Sequence, residues 1–512
     1  MRYRKILFLV CLLPLLSKGQ TYFNNYYKTG YNNTASTHVF NNPADSSFTV
    51  FNYANDSVTG YQGLYCTNIS KTGILNFKKT LTYPNYDYYS YLNGLKQFIP
   101  ATNCSYFGAS VTYTSSFNTL LFTKINKVTL DTIKTSFYYD GIYSYYMNNL
   151  IKFNANKYYL IGNKSNSSSQ WPCVFQLDSN LNIVTTFTIS NPFNMGCSAA
   201  TYDLVNKKLI LCGRRYNSSN HPNNVIMICD TLGAVSTASL YPTYWTNGVS
   251  QSFYSGIDNT IVTIGGIQTS LYANNYEMYR LQICKYDLNL NPIWKKTYGR
   301  STIINTCYSG VINNDGSLVV ACGYGDSTSL PLVNEDINGT ILKVNSNGDS
   351  LWMRQYSNYV TGSSPANYWE TFYGIEKTLD GGYILCGSVV NKPQGKAWIV
   401  KTDSLGCVSF GCGNLITEAV ENTNSKKELV LFPNPSSDIL NIDFDPNDKY
   451  TKAQVINSLG QIVKEDVIEL ELKKYSIDIK DLPEGVYLLN LKSLGSTSPT
   501  TVNINKRFVI AR

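Results

Sequence analysis

Asp380-Gly381-Gly382-Tyr383-Ile384-Leu385-Cys386-Gly387, followed after a loop by Ala397-Trp398-Ile399-Val400-Lys401-Thr402-Asp403-Ser404-Leu405-Gly406, decides the fold. It reads as a turn, an apolar strand closing on Gly, a second strand, and a turn led by Asp. Asp or Asn suits that last place because its side chain bonds the backbone two residues on and tolerates left-handed geometry. The pattern returns upstream. Asp315–Gly323 precedes Thr340–Gly348, Asn259–Gly266 precedes Gln282–Asp287, Asn206–Gly213 precedes Val225–Gly233, and Asn156–Gly162 precedes Val174–Asn180. The turn markers fall at Ser70, Asn126, Asp178, Asp230, Asp287, Asn345 and Asp403, at intervals of 56, 52, 52, 57, 58 and 58. The first two units lack the Gly and the Asp, and they are included on spacing and strand pattern.

Two more strands fit each repeat, such as Phe372–Lys377 before the first turn and Ser350–Gln355 after the marker. Trp294 and Trp352 keep the same register. Four short antiparallel strands repeated seven times, with almost no helix-period stretch, predict an all-β chain whose body is a seven-bladed β-propeller. A stacked β-solenoid is the alternative, but its rungs are shorter than these repeats.

Composition bounds the rest. The chain has 512 residues, 43% apolar and 15% charged, with 42 Tyr, 13 Cys and 2 His. That length calls for more than one core. Two histidines, His38 and His221, disfavour a His-rich metal site or a Ser-His-Asp triad, and both read as loop residues. Met1–Gln20 reads as a secretory signal: Arg2, Arg4 and Lys5, then the apolar run Ile6–Leu16, then small residues at Ser17 and Gly19. Cleavage between Gly19 and Gln20 is expected. The apolar run is too short to span a bilayer, so a membrane anchor is disfavoured. The formal net charge of +8 falls to +4 without the signal, and no Lys/Arg run marks a nucleic-acid surface.

The character of the chain changes at its end. Residues 426–512 hold 12 Lys/Arg and 12 Asp/Glu but only three Tyr. The expected order is a signal peptide at 1–19, an N-terminal segment at 20–37, a propeller at 38–412, a linker at 413–427 and a tail domain at 428–512. The tail divides into apolar or alternating strands at Pro433 and Pro435, Gly460, and Pro483 with Gly485, which predicts a small Ig-like antiparallel sandwich.

Two resemblances attach to these residues. The body repeat, over Asn156–Gly406, is similar to degenerate propeller repeats of many secreted bacterial proteins, which implies fold and not activity. The tail resembles the type A C-terminal sorting domain of the type IX secretion system of Bacteroidota. The carrying motifs are Phe432-Pro433-Asn434-Pro435, Gly460-Gln461-Ile462-Val463, Leu482-Pro483-Glu484-Gly485-Val486-Tyr487 and the terminal strand from Lys506 and Arg507 to Arg512. Phe432 stands where the family has Tyr. The resemblance implies export by the Sec machinery, passage through the type IX translocon, removal of the tail by a sortase, and release or attachment to surface lipopolysaccharide.

Catalytic signals are thin. Body glutamates are few (Glu277, Glu335, Glu370, Glu376), and most Asp residues are accounted for by turns. Glu335-Asp336 reads as a polar loop rather than a Ca²⁺ site. Cys212, Cys322 and Cys386 recur beside Gly on an apolar strand and read as buried thiols. Cys407 and Cys412 form the candidate local disulfide. No cofactor or metal is expected, and no catalytic residue is assigned. Tyr-rich stretches at Tyr83–Tyr91, Tyr138–Tyr146 and Tyr241–Trp245 offer rings that stack on sugars and anchor interfaces, or serve as neutral surface. The expectation is a secreted or surface-displayed binding or adhesion module for extracellular glycan or protein, without nucleic acid. The alternatives are a polysaccharide lyase or glycosidase working at the propeller channel, and a structural surface component.

Overall fold

The computed structural model describes residues 21–512 apart from 28–31, 56–61, 82–86, 90–95, 103–104, 115–116, 167–168, 191–194, 217–221, 242–245, 272–276, 300–304, 326–336, 357–368, 391–395, 410–429, 444–449, 458–460, 469–473 and 494–501. The expected signal peptide with its Gly19/Gln20 cleavage site, the linker, His221 and the Glu335-Asp336 loop therefore lie outside the described residues. All elements are strands, and no helix occurs among the described residues. The chain divides into two compact units, residues 1–418 and 419–512.

The first unit opens with β1 (Phe23–Tyr27). Sheet one is β2 (Asn32–Asn42), β3 (Ser47–Asn55), β4 (Gln62–Ile69) and β5 (Leu75–Thr80). Sheet two is β6 (Asp87–Tyr89), β7 (Phe98–Thr102), β8 (Ser105–Thr114), β9 (Phe117–Asn126) and β10 (Thr132–Tyr138), with β6 and β7 both paired to β8. Sheet three is β11 (Ser144–Asn154), β12 (Lys157–Ser165), β13 (Gln170–Asp178) and β14 (Ile183–Thr188). Sheet four is β15 (Gly196–Asp203), β16 (Lys208–Tyr216), β17 (Pro222–Cys229) and β18 (Val235–Tyr241). Sheet five is β19 (Thr246–Ser255), β20 (Thr260–Leu271), β21 (Glu277–Tyr286) and β22 (Pro292–Tyr298). Sheet six is β23 (Asn305–Ile312), β24 (Leu318–Gly325), β25 (Ile337–Val344) and β26 (Ser350–Tyr356).

Sheet seven has three consecutive strands, β27 (Trp369–Lys377), β28 (Tyr383–Val390) and β29 (Lys396–Thr402). Its fourth is β1, antiparallel to β29 from Phe23↔Lys401 to Tyr27↔Ala397. The stretch 20–37, set apart above as a segment ahead of the repeats, thus contributes β1 and the start of β2. Sheets six and seven also meet through one parallel pair, Ile337↔Trp369.

The apolar runs are continuous because both faces of these sheets are buried, and successive side chains point to opposite faces. In β24, Val320 packs against sheet five with Ile264 and Ile283, while Val319 packs against sheet seven with Leu385 and Trp398. In β28, Leu385 faces sheet six and Ile384 faces sheet one, beside Phe48 and Val50. Similar cores join sheets one and two, two and three, three and four, and four and five. The succession of cores returns to its start.

All seven turn markers form one kind of turn. The marker's N–H bonds the carbonyl four or five residues on, and its carbonyl takes the N–H of Gly73, Leu130, Leu181, Gly233, Leu290, Gly348 or Gly406. Each of those residues has positive φ, from 57° to 93°. Asp178, Asp230, Asp287 and Asp403 use one carboxylate oxygen to take the N–H groups two and four residues on. Ser70 does the same with its hydroxyl, so the first unit keeps the turn without the Asp.

The second unit has two sheets. One is β30 (Val430–Phe432), β31 (Ile439–Asp443) and β34 (Lys474–Asp478). The other is β33 (Ile462–Val467), β32 (Tyr450–Ile456), β35 (Gly485–Ser493) and β36 (Val502–Ile510), in that spatial order. Leu440, Ile442, Val455, Leu489, Leu491 and Phe508 from both sheets form one core.

Candidate functional sites

The tail motifs, dispersed in sequence, meet in the second unit. Asn434 accepts the N–H of Val509 through its side-chain oxygen at 2.9 Å. Ser436 N–H bonds Val509 O at 2.8 Å, and Ala511 N–H bonds Ser436 O at 3.0 Å. The Pro433-Asn434-Pro435 opening is thereby stitched along the terminal strand. Gly485, Val486 and Tyr487 pair with Ile510, Val509 and Phe508 on that same strand. The Tyr487 ring stacks on Phe508 at 5.8 Å, and its hydroxyl donates to Pro483 O at 2.7 Å.

The terminal Arg512 guanidinium donates to the carbonyls of Ile479, Lys480 and Leu482, at 3.1, 2.7 and 2.8 Å. Three turn carbonyls thus share one planar donor, and the Ile479 carbonyl also takes the N–H of Leu482 at 3.1 Å. Lys506 and Arg507 pair with Leu489 and Leu488, and Arg507 is exposed. Gly460 lies outside the described residues, but its neighbour Gln461 donates N–H to the Asn457 side chain at 3.0 Å. Phe432 and Val486 are exposed.

In the first unit, antiparallel order sends the connections of first to second and third to fourth strands to one end of each sheet. Those from second to third strand, and from each sheet to the next, leave the other end. The longest connections, 326–336 and 357–368, belong to this second set. The Tyr138–Tyr146 stretch is there, joining β10 to β11. Asp140 takes the N–H groups of Ile142 and Tyr143 at 2.9 and 3.0 Å, and the Tyr145 hydroxyl. Burial alone would raise the Asp140 carboxyl, but these bonds outweigh it and hold it below its ordinary value. The braced loop presents Tyr139, 54% exposed, and Ile142, 63% exposed. Tyr143 meets Trp171 edge-on at 6.1 Å, and Lys164 Nζ lies 4.6 Å from the Tyr143 ring centre. Most of Tyr83–Tyr91 and Tyr241–Trp245 lies outside the described residues. Other tyrosines are structural: Tyr53, Tyr65, Tyr106, Tyr158 and Tyr159 are fully buried.

A second cluster joins first strands of several sheets. Lys96 N–H bonds Asn148 O at 3.0 Å, and Leu150 N–H bonds Lys96 O at 2.7 Å. Gln97 N–H donates to His38 Nε2 at 3.1 Å, while His38 Nδ1 lies 2.9 Å from the Thr37 hydroxyl. His38 is therefore a buried strand residue, not a loop histidine, and its accepting Nε2 leaves the proton on Nδ1. The Lys96 ammonium lies 5.3 Å from the Phe253 ring centre. Burial lowers the Lys96 pKa against the opposing pull of Glu376, and burial raises that of Glu376 against Lys96 and Lys377. Two half-buried groups of opposite charge thus act on each other beside these first strands, without forming a salt bridge. Glu370, in the same strand as Glu376, takes the Tyr26 hydroxyl.

Cys212, Cys322 and Cys386 are buried free thiols, with Cys66, Cys173, Cys197, Cys229, Cys284 and Cys307. Cys407 is buried and disulfide-bonded. Cys412, its expected partner, lies outside the described residues. Among the described residues, no cluster of three or more His, Cys, Asp or Glu side chains is placed to hold a metal.

Comparison with known proteins gives one informative match. Residues 430–505 match the family of secretion system C-terminal sorting domains. No curated protein matches the chain. Among solved structures, Sqt1 from Chaetomium thermophilum is similar at 10% identity and a TM-score of 0.37, covering 75% of this chain and 92% of that one. A structure described as the eukaryotic initiation factor is similar at 11% identity and a TM-score of 0.32, covering 63% and 88%. The sorting domain makes this chain a cargo of the type IX secretion system, handled by that machinery and exported to the cell surface or the extracellular space.

Proposed function

We propose that the first unit is a seven-bladed β-propeller which, once exported, binds an extracellular glycan or protein through the end that carries its long connections. The propeller reading is supported by sheet-on-sheet cores that return from sheet seven to sheet one, and by β1 completing the last sheet. The binding reading rests on one observation: the Tyr139–Tyr143 loop, braced by Asp140 and set against Trp171 and Lys164. The exposed Tyr139 and the half-buried Tyr143 and Trp171, with one cation beside Tyr143, give stacking surface and a polar handle. The neighbouring connections are rich in Tyr, Asn, Ser and Gly and poor in charge, a composition that favours adaptable contact with neutral surfaces.

An enzyme working at the channel would need convergent acids, and Glu376 is instead under the pull of the cations Lys96 and Lys377. The remaining parts of the reading are a Bacteroidota source, domain limits at 38–412 and 428–512, signal cleavage after Gly19, tail removal by a sortase, and a Cys407–Cys412 bond. The test is a glycan array and surface-protein capture with the secreted protein and its Tyr143→Ala/Trp171→Ala variant. Binding lost in the variant, without turnover of the bound polysaccharide, is the expected result. Turnover, or binding unchanged in the variant, overturns it.

A further inference from the structure

Of the nine free cysteines in the described residues, only Cys307 and Cys322 stand directly opposite each other on neighbouring strands. Residues so paired have Cα atoms about 4.5–5.5 Å apart and side chains on the same face. That separation lies inside the range a disulfide spans. Both are buried in the core between sheets five and six, where Cys322 Sγ lies 3.8 Å from Val320 O. The ladder is irregular between Cys307 and Ser309, immediately after the pair. Export takes the chain into a compartment where thiols meet oxidants.

We propose that Cys307 and Cys322 are joined by a cross-strand disulfide in the exported protein. The oxidant is a disulfide-bonded thiol oxidase of the export route. One cysteine thiolate attacks the oxidase disulfide and expels its first sulfur as thiolate. The second cysteine then attacks the mixed disulfide and expels the other. Two protons and two electrons leave the pair, and the oxidase is reduced to its dithiol. The bond forms before sheet six is packed, because in the finished core burial holds the Cys307 thiol well above its ordinary pKa and thiolate is scarce.

The sequence offers a direct test, since residues 301–343 contain both cysteines and no Lys or Arg before Lys343. Full-length secreted protein is denatured, alkylated without reductant and cut with trypsin. The 301–343 peptide is expected unalkylated and lighter than the dithiol by about 2 Da, the two hydrogens lost on pairing. Cleavage at Asp315 is expected to leave its halves joined until reductant is added. Double alkylation before reduction overturns the proposal. In the Cys322→Ser protein, Cys307 should become alkylatable; a Cys307 that stays blocked is paired elsewhere and overturns it equally.

Discussion

The Tyr356 hydroxyl donates a 2.6 Å hydrogen bond to the carbonyl of Gly406, the left-handed residue of the next sheet's turn. Tyr298 does the same to Gly348 at 2.5 Å, and Tyr27 to Gly73 at 2.8 Å. Tyr241 bonds the carbonyl of Leu290, which holds the equivalent place. The last strand of one sheet thus latches the turn of the following one. Tyr356→Phe leaves a buried carbonyl unpaired and should lower stability by about 1–3 kcal/mol. Denaturant unfolding of the variant beside the parent measures it, and an unchanged midpoint would show the latch idle.

Gly406 and Gly381 both have positive φ, yet their surroundings differ. A Cβ at Gly406 would come within 2.9 Å of Arg354 Cγ and Trp352 Cζ3, whereas at Gly381 it meets nothing within 4 Å. Gly381→Ala should cost about 1 kcal/mol, the left-handed penalty alone. Gly406→Ala adds overpacking and should cost about 1–3 kcal/mol more. Equal losses in thermal melts would contradict the packing argument.

Asp380, which opens the Asp380–Gly406 motif, and Lys401, in its second strand, form an ion pair. Lys401 Nζ lies 2.9 Å from Asp380, with side chains 1% and 16% exposed, and Lys285 and Asp258 pair at 2.5 Å. Burial would raise the Asp380 carboxyl, but bonds from Thr378 and Lys401 hold it below its ordinary value. The unfolded chain then binds the proton more readily, so this stabilisation is complete above about pH 4 and is lost as pH falls through the lower folded value. Melting temperature should drop on acidification below that point, and Asp380→Asn should flatten part of the drop. Asp380→Asn should also cost about 3 kcal/mol at neutral pH, by stranding Lys401.

Removing Lys506–Arg512 takes away the strand on which the Asn434, Ser436 and Tyr487 contacts converge. The truncated protein should accumulate inside the outer membrane while the parent reaches the surface or medium. Cell fractionation and immunoblotting of both proteins decide it. Full export of the truncated chain would contradict the role given to the tail.

Much of this was legible in the sequence. Asp178, Asp230, Asp287 and Asp403 announced their turns because one short side chain satisfies two backbone donors wherever it stands. Val319-Val320 and Ile384-Leu385 announced apolar strands; that both faces of their sheets are buried shows only in the fold. The tail motifs were readable one by one, but their convergence on the last strand was not, since it depends on pairing across the fold. His38 was misread because Ser36-Thr37-His38 lacks an apolar pattern; its partner, Gln97 N–H, is a backbone group with no sequence mark. Lys96 was passed over for the same reason. β1 was missed because Asn24 and Asn25 break its pattern, although Tyr27 stands 46 residues before Gly73 much as Tyr298 stands 50 before Gly348.

The pairing of β1 with β29 has a consequence for how the body is made. β1 waits, unpartnered, until nearly four hundred further residues have been made. Until then β29 keeps an open backbone edge, the kind that recruits other chains, and the apolar faces that sheets one and seven bury together stay uncovered. Pairing with β1 covers the β29 edge, so a chain interrupted before β29 leaves β1 without its partner strand and is not merely shorter. For a cargo bound for the cell surface or the extracellular space, that seam separates a molecule fit to travel from one that is not.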